Sequence, residues 1–319
     1  MACPHRCVFC NQQTITGQFK SPEPFEIKSI IESYLTTIPI ENSHIQVAFF
    51  GGSFTGLPLD LQKQYLAVVQ PYLKNRISGI RLSTRPDYID LEILKMLKDY
   101  GVTNIELGAQ SMDDEVLRRS GRGHDAAVVF EASQMILDFG FELGLQMMLG
   151  LPGDNAEKSM ETAYAIVRAG ATETRIYPTL VVKNTALERL WQEGKYKPMT
   201  LQEAVNQSAE IYSFFESKGV KVLRTGLYPS EELMDNSGFL AGPFHPAFKE
   251  LVMSEIWKKE LSRIEPNSQK VQIFVASNQL NHAIGYKKSN LDFLRLKFRY
   301  PVFKVDNTLK NREFYVDYL

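Results

Sequence analysis

The chain has 319 residues, 44% hydrophobic and 23% charged, with a net charge of −1, which allows one large domain or one and a half. No apolar run is long enough to span a membrane, and the residues after the tenth are polar rather than a signal core, so the expectation is a soluble cytoplasmic protein. The charge is uneven: residues 266–319 carry 9 Lys+Arg against 4 Asp+Glu, a balance of +5, and the rest carries 27 against 33, or −6. A basic appendage on a mildly acidic body hints at a polyanionic partner.

All three cysteines fall within the first ten residues, as Cys3-Pro-His-Arg-Cys7-Val-Phe-Cys10. Disulfides would leave one thiol over, and nothing else suggests a secreted disulfide framework. Three thiolates on one short loop suit a single soft metal centre. Zinc would take His5 as a fourth ligand, whereas an iron–sulfur cubane on three cysteines would leave one iron open to a small molecule. Spacing alone leaves both open.

Beyond the cysteines, apolar runs rich in Val, Ile, Phe and Leu predict strands at 45–50, 79–83, 103–108, 143–149, 174–181 and 220–227. Helical periodicity predicts helices at 24–38, 59–74, 88–100, 125–140, 156–169 and 201–218, with Thr200/Glu203 and Ser111/Asp114 reading as capping boxes. Strand and helix in alternation imply right-handed crossovers, a parallel sheet and a partial or full β/α barrel. Its site is expected at the strands' carboxyl ends. There the sequence places Gly51-Gly52-Ser53-Phe54-Thr55-Gly56, Ser83-Thr84-Arg85-Pro86-Asp87, Gly108-Ala109-Gln110-Ser111 and Gly150-Leu151-Pro152-Gly153-Asp154. Glycine there lets a ligand approach the backbone, and hydroxyls and amides supply hydrogen bonds. The first of these runs lacks the Lys-Ser/Thr of a P-loop and does not fit the dinucleotide fingerprint.

The spacing Cys3-x3-Cys7-x2-Cys10, with Phe9 before the last cysteine, resembles the signature of the radical S-adenosylmethionine (SAM) superfamily. The cysteine run through Gln12, Ser83–Asp87, Arg175–Leu180 and Gly242–Phe248 resemble the radical SAM region of the Elongator catalytic subunit and its bacterial relatives. Gly108–Ser111 and Gly150–Gly153 also resemble the oxygen-independent coproporphyrinogen oxidase group. The resemblance covers roughly residues 1–255 and implies a [4Fe–4S] cluster on Cys3, Cys7 and Cys10, with SAM on the fourth iron and a 5′-deoxyadenosyl radical as the reactive product. It implies SAM contacts from Gly51, Gly52, Ser53 and Thr55, from Ser83 and Arg85 at the next exit, and from Gln110 and Arg122. It also implies an electron donor such as flavodoxin or ferredoxin. Gln146 stands where the coproporphyrinogen oxidase group often has Asp, and Glu106 lines the cavity if the register places it inward.

The family has a barrel strand leading into the cysteine loop, and only Met1 and Ala2 precede Cys3. The expectation is therefore either an incomplete gene product that lacks its leading segment or a shortened barrel with an open edge and a cluster loop tethered on one side. Elongator's subunit continues into an acetyltransferase domain beyond this length, so the resemblance does not imply acetyl transfer.

After a linker at 256–270, residues 271–319 read as strand (271–275), helix, Gly285-Tyr-Lys-Lys288 loop, helix (289–298) and strand (302–306). That order resembles a NusA-type KH module, whose glycine loop clamps nucleic-acid backbone; here Lys288 replaces the second glycine and Lys287 and Lys288 would meet phosphates. Otherwise Leu291, Leu294 and Phe298 form the core of a small cap. The sequence thus predicts a radical SAM enzyme acting on RNA, with tRNA as the preferred class. The alternatives are a small-molecule oxidoreductase of the coproporphyrinogen oxidase type and a non-catalytic zinc-stapled RNA-binding protein.

Overall fold

The computed structural model describes residues 7–12, 20–39, 44–73, 75–228, 231–235 and 238–319. It divides into two compact units, one of residues 1–199 with 215–244, the other of residues 200–214 with 245–319.

The first unit is built on a six-stranded sheet of β1 (Gln46–Phe49), β2 (Gly79–Thr84), β3 (Val102–Gln110), β4 (Glu142–Leu149), β5 (Glu173–Pro178) and β7 (Lys221–Thr225). The strands lie in that order and every pair is parallel. All six predicted strands are present, so the half-barrel expectation holds. Among the described residues β1 pairs only with β2, and it forms the sheet's first edge.

Helix α1 (Pro24–Thr37) leads into β1, and α2 (Leu59–Val69), α3 (Leu91–Asp99), α4 (Asp114–Arg119), α5 (Ala126–Asp138) and α6 (Ala156–Arg168) lie in the crossovers from β1 to β5. Their ends obey local chemistry. Asp90, Asp125 and Asn155 accept hydrogen bonds from the first-turn amides of α3, α5 and α6. Gly140 and Gly170, at φ 73° and 80°, follow the last residues of α5 and α6 in the left-handed region where a side chain would be strained. The Ser111/Asp114 box is not formed. Asp113 caps α4 instead, accepting from Val116 N at 2.9 Å, and Asp114 accepts from Ala126 N at 2.8 Å. A two-residue shift puts Asp113 at the helix mouth in place of Ser111, while Ser111 Oγ accepts from the Asp113 amide.

Alternation divides the sheet. Ile80, Leu82, Ile105, Leu107, Leu143, Leu145, Met147 and Ile176 are fully buried on one face. The opposite face carries Arg81, Ser83, Glu106, Gln146, Glu173, Arg175 and Tyr177, brought side by side by the register. Two short strands, β6 (Val181–Val182) and β8 (Phe239–Ala241), pair antiparallel, and α7 (Ala186–Gln192) and α9 (Glu231–Met234) complete the unit. Helix α8 (Leu201–Ser217) begins at the predicted capping box: Thr200 N donates to Glu203 Oε2 at 2.7 Å and Glu203 N to Thr200 Oγ1 at 3.2 Å.

In the second unit, α10 (Phe248–Ser262), α11 (Leu280–Ile284) and α12 (Ser289–Arg295) accompany β9 (Lys270–Val275), β10 (Tyr300–Val305) and β11 (Phe314–Tyr318). The sheet order is β10-β9-β11, with β10 parallel and β11 antiparallel to β9. Trp257, Leu261, Val271, Ile273, Val275, Leu294 and Phe298 form its core. The expected strand–helix–loop–helix–strand order is present, with β11 as an added strand. Residues 256–262, read as linker, are helical, because Trp257 and Leu261 are fully buried in this core.

Candidate functional site

Because every strand of the first sheet runs the same way, all the strand-exit loops lie along one side of it. The cysteine loop joins them. Cys3 and His5 lie outside the described residues. Cys7 and Phe9 are buried, and Cys10 N donates to Cys7 O at 3.1 Å to close a turn. Three hydrogen bonds fasten this turn to distant segments: Val8 N to Ser120 O at 3.0 Å, Leu187 N to Val8 O at 2.7 Å, and Asn11 Nδ2 to Lys183 O at 3.0 Å. Cys7 and Phe9 pack with Val116, Leu151, Val181 and Leu187. The loop is therefore held by the segments after β3 and β5.

Two buried arginines meet Cys7. Arg122 Nη1 lies 3.4 Å from Cys7 Sγ and Arg85 Nη1 3.9 Å. Arg122 Nη2 donates to Gly108 O at the exit of β3, and Arg85 Nη2 donates to Arg122 O. Asp87 grips Arg85 with both oxygens, at 2.8 and 2.9 Å. Burial alone would raise the Asp87 carboxyl, yet the Arg85 guanidinium holds it below the usual carboxylate range. His124 shifts down through burial and the Arg122 charge. Arg122 Nε and Gln110 Oε1 are buried without a hydrogen-bond partner. Gln110 itself sits at φ 67°, where a register shift interrupts the β3–β4 ladder.

At the exit of β1, Gly51 and Gly52 are exposed, Ser53 is buried, and a side chain on Gly52 would meet open space. Thr55 Oγ1 is 2.5 Å from Thr84 Oγ1, which couples the exits of β1 and β2. A cavity of about 280 Å³ opens beside this loop, lined by Gly51, Gly52, Ser53, Phe50, Ile27 and Tyr65. At the exit of β4, Asp154 Oδ2 accepts from Gly150 N and Ser159 Oγ, and Tyr196 donates to Gly150 O at 2.7 Å. Burial pushes the Asp154 carboxyl up.

Glu106, expected in the cavity if the register allowed, is on the polar face and 1% exposed. It receives Arg81 Nη1 at 2.7 Å, Arg175 Nε at 2.5 Å and Gln146 Nε2 at 3.0 Å. The two guanidiniums win over burial and hold its carboxyl below the usual range. Gln146 also donates to Ser83 Oγ at 3.2 Å, so Ser83 belongs to this network. Glu173 takes Arg81 through both oxygens, and Arg175 lies 4.8 Å from the Phe50 ring centroid. Sequence reasoning singled out neither Arg81 nor Glu173. The alternation of charge along β2 and β5 was the available signal, but short runs do not reveal which face is enclosed. In the second unit, Gly285 is buried, while Lys287 and Lys288 are exposed at φ 52° and 67°.

Residues 1–164 match the radical SAM superfamily and residues 172–258 the radical SAM C-terminal domain. The tRNA uridine(34) acetyltransferase of Dehalococcoides mccartyi is 26% identical over 62% of this chain and 50% of its own length. Human Elongator complex protein 3 is 26% identical over 66% of this chain and 46% of its own. The chain thus spans about half the length of these curated relatives. The archaeal Elp3 of Methanocaldococcus infernus superposes with a TM-score of 0.64 at 24% identity, over 74% of this chain and 59% of that one, a likeness of fold. No helix among the described residues is long and apolar enough to cross a membrane. With its half-barrel and its cysteine loop at the strand exits, this chain belongs to the radical SAM superfamily, a family of enzymes that use a [4Fe–4S] cluster and S-adenosylmethionine.

Proposed function

We propose that Cys3, Cys7 and Cys10 hold a [4Fe–4S] cluster, that SAM binds across the strand exits, and that the substrate is an RNA, a uridine-containing tRNA in particular. The observation that carries this is the meeting of Cys7 Sγ with Arg122 at 3.4 Å, which joins the cysteine turn to the exit of β3. The residues present fit the group. Thiolates are the customary ligands of such clusters, and the buried arginines complement the negative charge of a thiolate-bound centre. The open space at Gly52, the buried hydroxyls of Ser53 and Thr55, and the unpartnered Gln110 Oε1 and Arg122 Nε offer close approach and free hydrogen-bonding capacity to a polar cofactor. When bound, the cluster and SAM supply a 5′-deoxyadenosyl radical for hydrogen abstraction. The chain's own residues position the partners and exclude water: Phe9 and Leu151 wall the cysteine turn, and the Glu106 network keeps the adjoining sheet face ordered.

The tRNA reading draws on the relatives' activity and on the basic final segment. It places the protein in the cytoplasm with a donor such as flavodoxin or ferredoxin. Anaerobic reconstitution with iron and sulfide, reduction, and quantification of 5′-deoxyadenosine test the chemistry, with Cys7→Ser expected to abolish both the cluster and the product. Stoichiometric zinc without SAM turnover would overturn it. Incubation with unmodified tRNA and nucleoside mass spectrometry tests the substrate, the expected result being a new uridine derivative that requires SAM.

A further inference from the structure

The second unit's sheet has one face against its helices and an opposite face that carries exposed side chains. Along β9, Val271, Ile273 and Val275 are buried against the helices, while Lys270, Gln272 and Phe274 alternate to the other side. The register places Tyr300, Val302 and Lys304 of β10 and Tyr315 and Asp317 of β11 beside them. Tyr300, Val302 and Tyr315 are 50%, 47% and 41% exposed, unusual for apolar groups that share one face.

The face has two aromatic stations. At one end the rings of Phe274 and Tyr315 stack with centroids 4.6 Å apart and an interplanar angle of 7°, and Lys304 Nζ lies 5.8 Å from the Phe274 centroid. At the other end Tyr300 is approached by Lys270 Nζ at 5.9 Å and by the Arg299 guanidinium at 5.3 Å. Four residues separate the stations, about 13 Å along the strands. Between them lie Gln272, Val302 and Asp317, and a second acid, Asp306, accepts from the Tyr315 hydroxyl at 3.1 Å beside the first station. Protein interfaces favour aromatic residues and arginine but are depleted in lysine, and here Lys270 and Lys304 lie against the rings. Here each ring system carries at least one cation, and the centre is mixed and polar. Rings that stack bases, flanked by cations that meet phosphates, are the chemistry of single-stranded nucleic-acid surfaces. The surplus of +5 in residues 266–319 adds longer-range attraction.

We propose that this sheet face binds single-stranded RNA, with bases stacking on Tyr300 and on the Phe274–Tyr315 pair and phosphates meeting Lys270, Arg299 and Lys304. The inference rests on the RNA reading above and deepens it. It assigns recognition to the sheet, whereas the Gly285–Lys288 loop belongs to the helical layer on the sheet's other side.

The test is fluorescence anisotropy of a labelled ten-nucleotide single-stranded RNA, and of a tRNA transcript, with the cluster-reconstituted full chain. Tyr300→Ala and Tyr315→Ala are each expected to weaken affinity about tenfold. Tyr315→Phe keeps the stacking ring and stays within twofold of the parent, which separates stacking from any loss of fold. Lys304→Glu weakens binding and flattens its salt dependence. Circular-dichroism melting of each variant verifies the fold. If the alanine variants bind like the parent while Lys287→Glu with Lys288→Glu abolishes binding, the sheet proposal is wrong and the RNA reading stands. If they keep RNA binding but change sedimentation, the face is a protein interface and the proposal falls. If the parent binds neither RNA, the RNA reading itself fails.

Discussion

Replacing Glu106 by glutamine tests whether the polar face of the half-barrel is a connected ionic network. The side chain is 1% exposed, and its two oxygens take Arg81, Arg175 and Gln146. Removing one member of a buried ion pair costs about 3–5 kcal/mol, because the remaining charge is left without compensation. Arg81 keeps its two-oxygen contact with Glu173, at 2.8 and 3.2 Å, and the amide retains one acceptor. Arg175 loses its carboxylate partner and keeps the Phe50 ring. The expected loss is thus at the low end, about 3 kcal/mol, or roughly 6–12 °C in Tm for a unit of this size. The two tryptophans divide between the units, so Trp191 fluorescence in a Trp257→Phe background follows the half-barrel alone during urea unfolding. The pH dependence adds a second readout. Glu106 has a native pKa below that of the unfolded chain. Its contribution is therefore fully present above about pH 4.3 and is lost as pH falls through the native pKa, where parent and Glu106→Gln should converge. A loss under about 0.5 kcal/mol at pH 7, or a difference that persists unchanged in acid, would refute the network.

Gly144→Ala should cost about 1–3 kcal/mol in the same assay, since the new Cβ would lie 2.8 Å from Glu106 Cγ in an enclosed position. Trp257→Ala should remove about 3–5 kcal/mol from the second unit, seen as an earlier circular-dichroism transition. Arg122→Ala should reduce iron retained per chain after anaerobic reconstitution and gel filtration several-fold. It removes a donor to Cys7 Sγ and the tie to Gly108 O.

The six strands of the half-barrel were legible because each is a short apolar run closed by a glycine or hydroxyl cluster. The predicted and observed bounds agree to within about three residues, apart from β5, which ends at Pro178 before the separate pair Val181–Val182. Helix α10 was not legible. Phe248, Val252, Met253, Ile256, Trp257 and Leu261 are all buried, and their positions spread around the helix rather than along one stripe, so no amphipathic period appears. Strand β11 was missed for a related reason: Phe314-Tyr-Val-Asp-Tyr318 is short, terminal and largely exposed, and only its pairing with β9 defines it. The cysteine spacing was legible, but the arginines behind Cys7 come from loops 78 and 115 residues further on. Arg122 was singled out only through the family resemblance, since a lone arginine between two glycines carries no sign of burial; it is buried because the turn after α4 folds back against the Cys7–Cys10 turn.

Two clusters of enclosed charge lie in the first unit. Arg81 and Arg175 are matched by Glu106 and Glu173 on the sheet face. Behind the cysteine turn Arg85 is matched by Asp87, and among the described residues no carboxylate pairs with Arg122. A guanidinium buried without an anion is costly, by several kcal/mol after relaxation. The groups that receive its protons are a backbone carbonyl and the Cys7 sulfur. A carbonyl brings no charge, and on the function proposed above a metal-bound thiolate at Cys7 would bring it. On that reading the unmatched cation is destabilising until its ligand is bound. Thermal unfolding of Arg122→Met should therefore show a variant no less stable than the parent before reconstitution, and less stable than the parent after it. If the substitution costs the same with and without iron, Arg122 is a packing residue and the electrostatic argument for a thiolate centre at Cys7 fails.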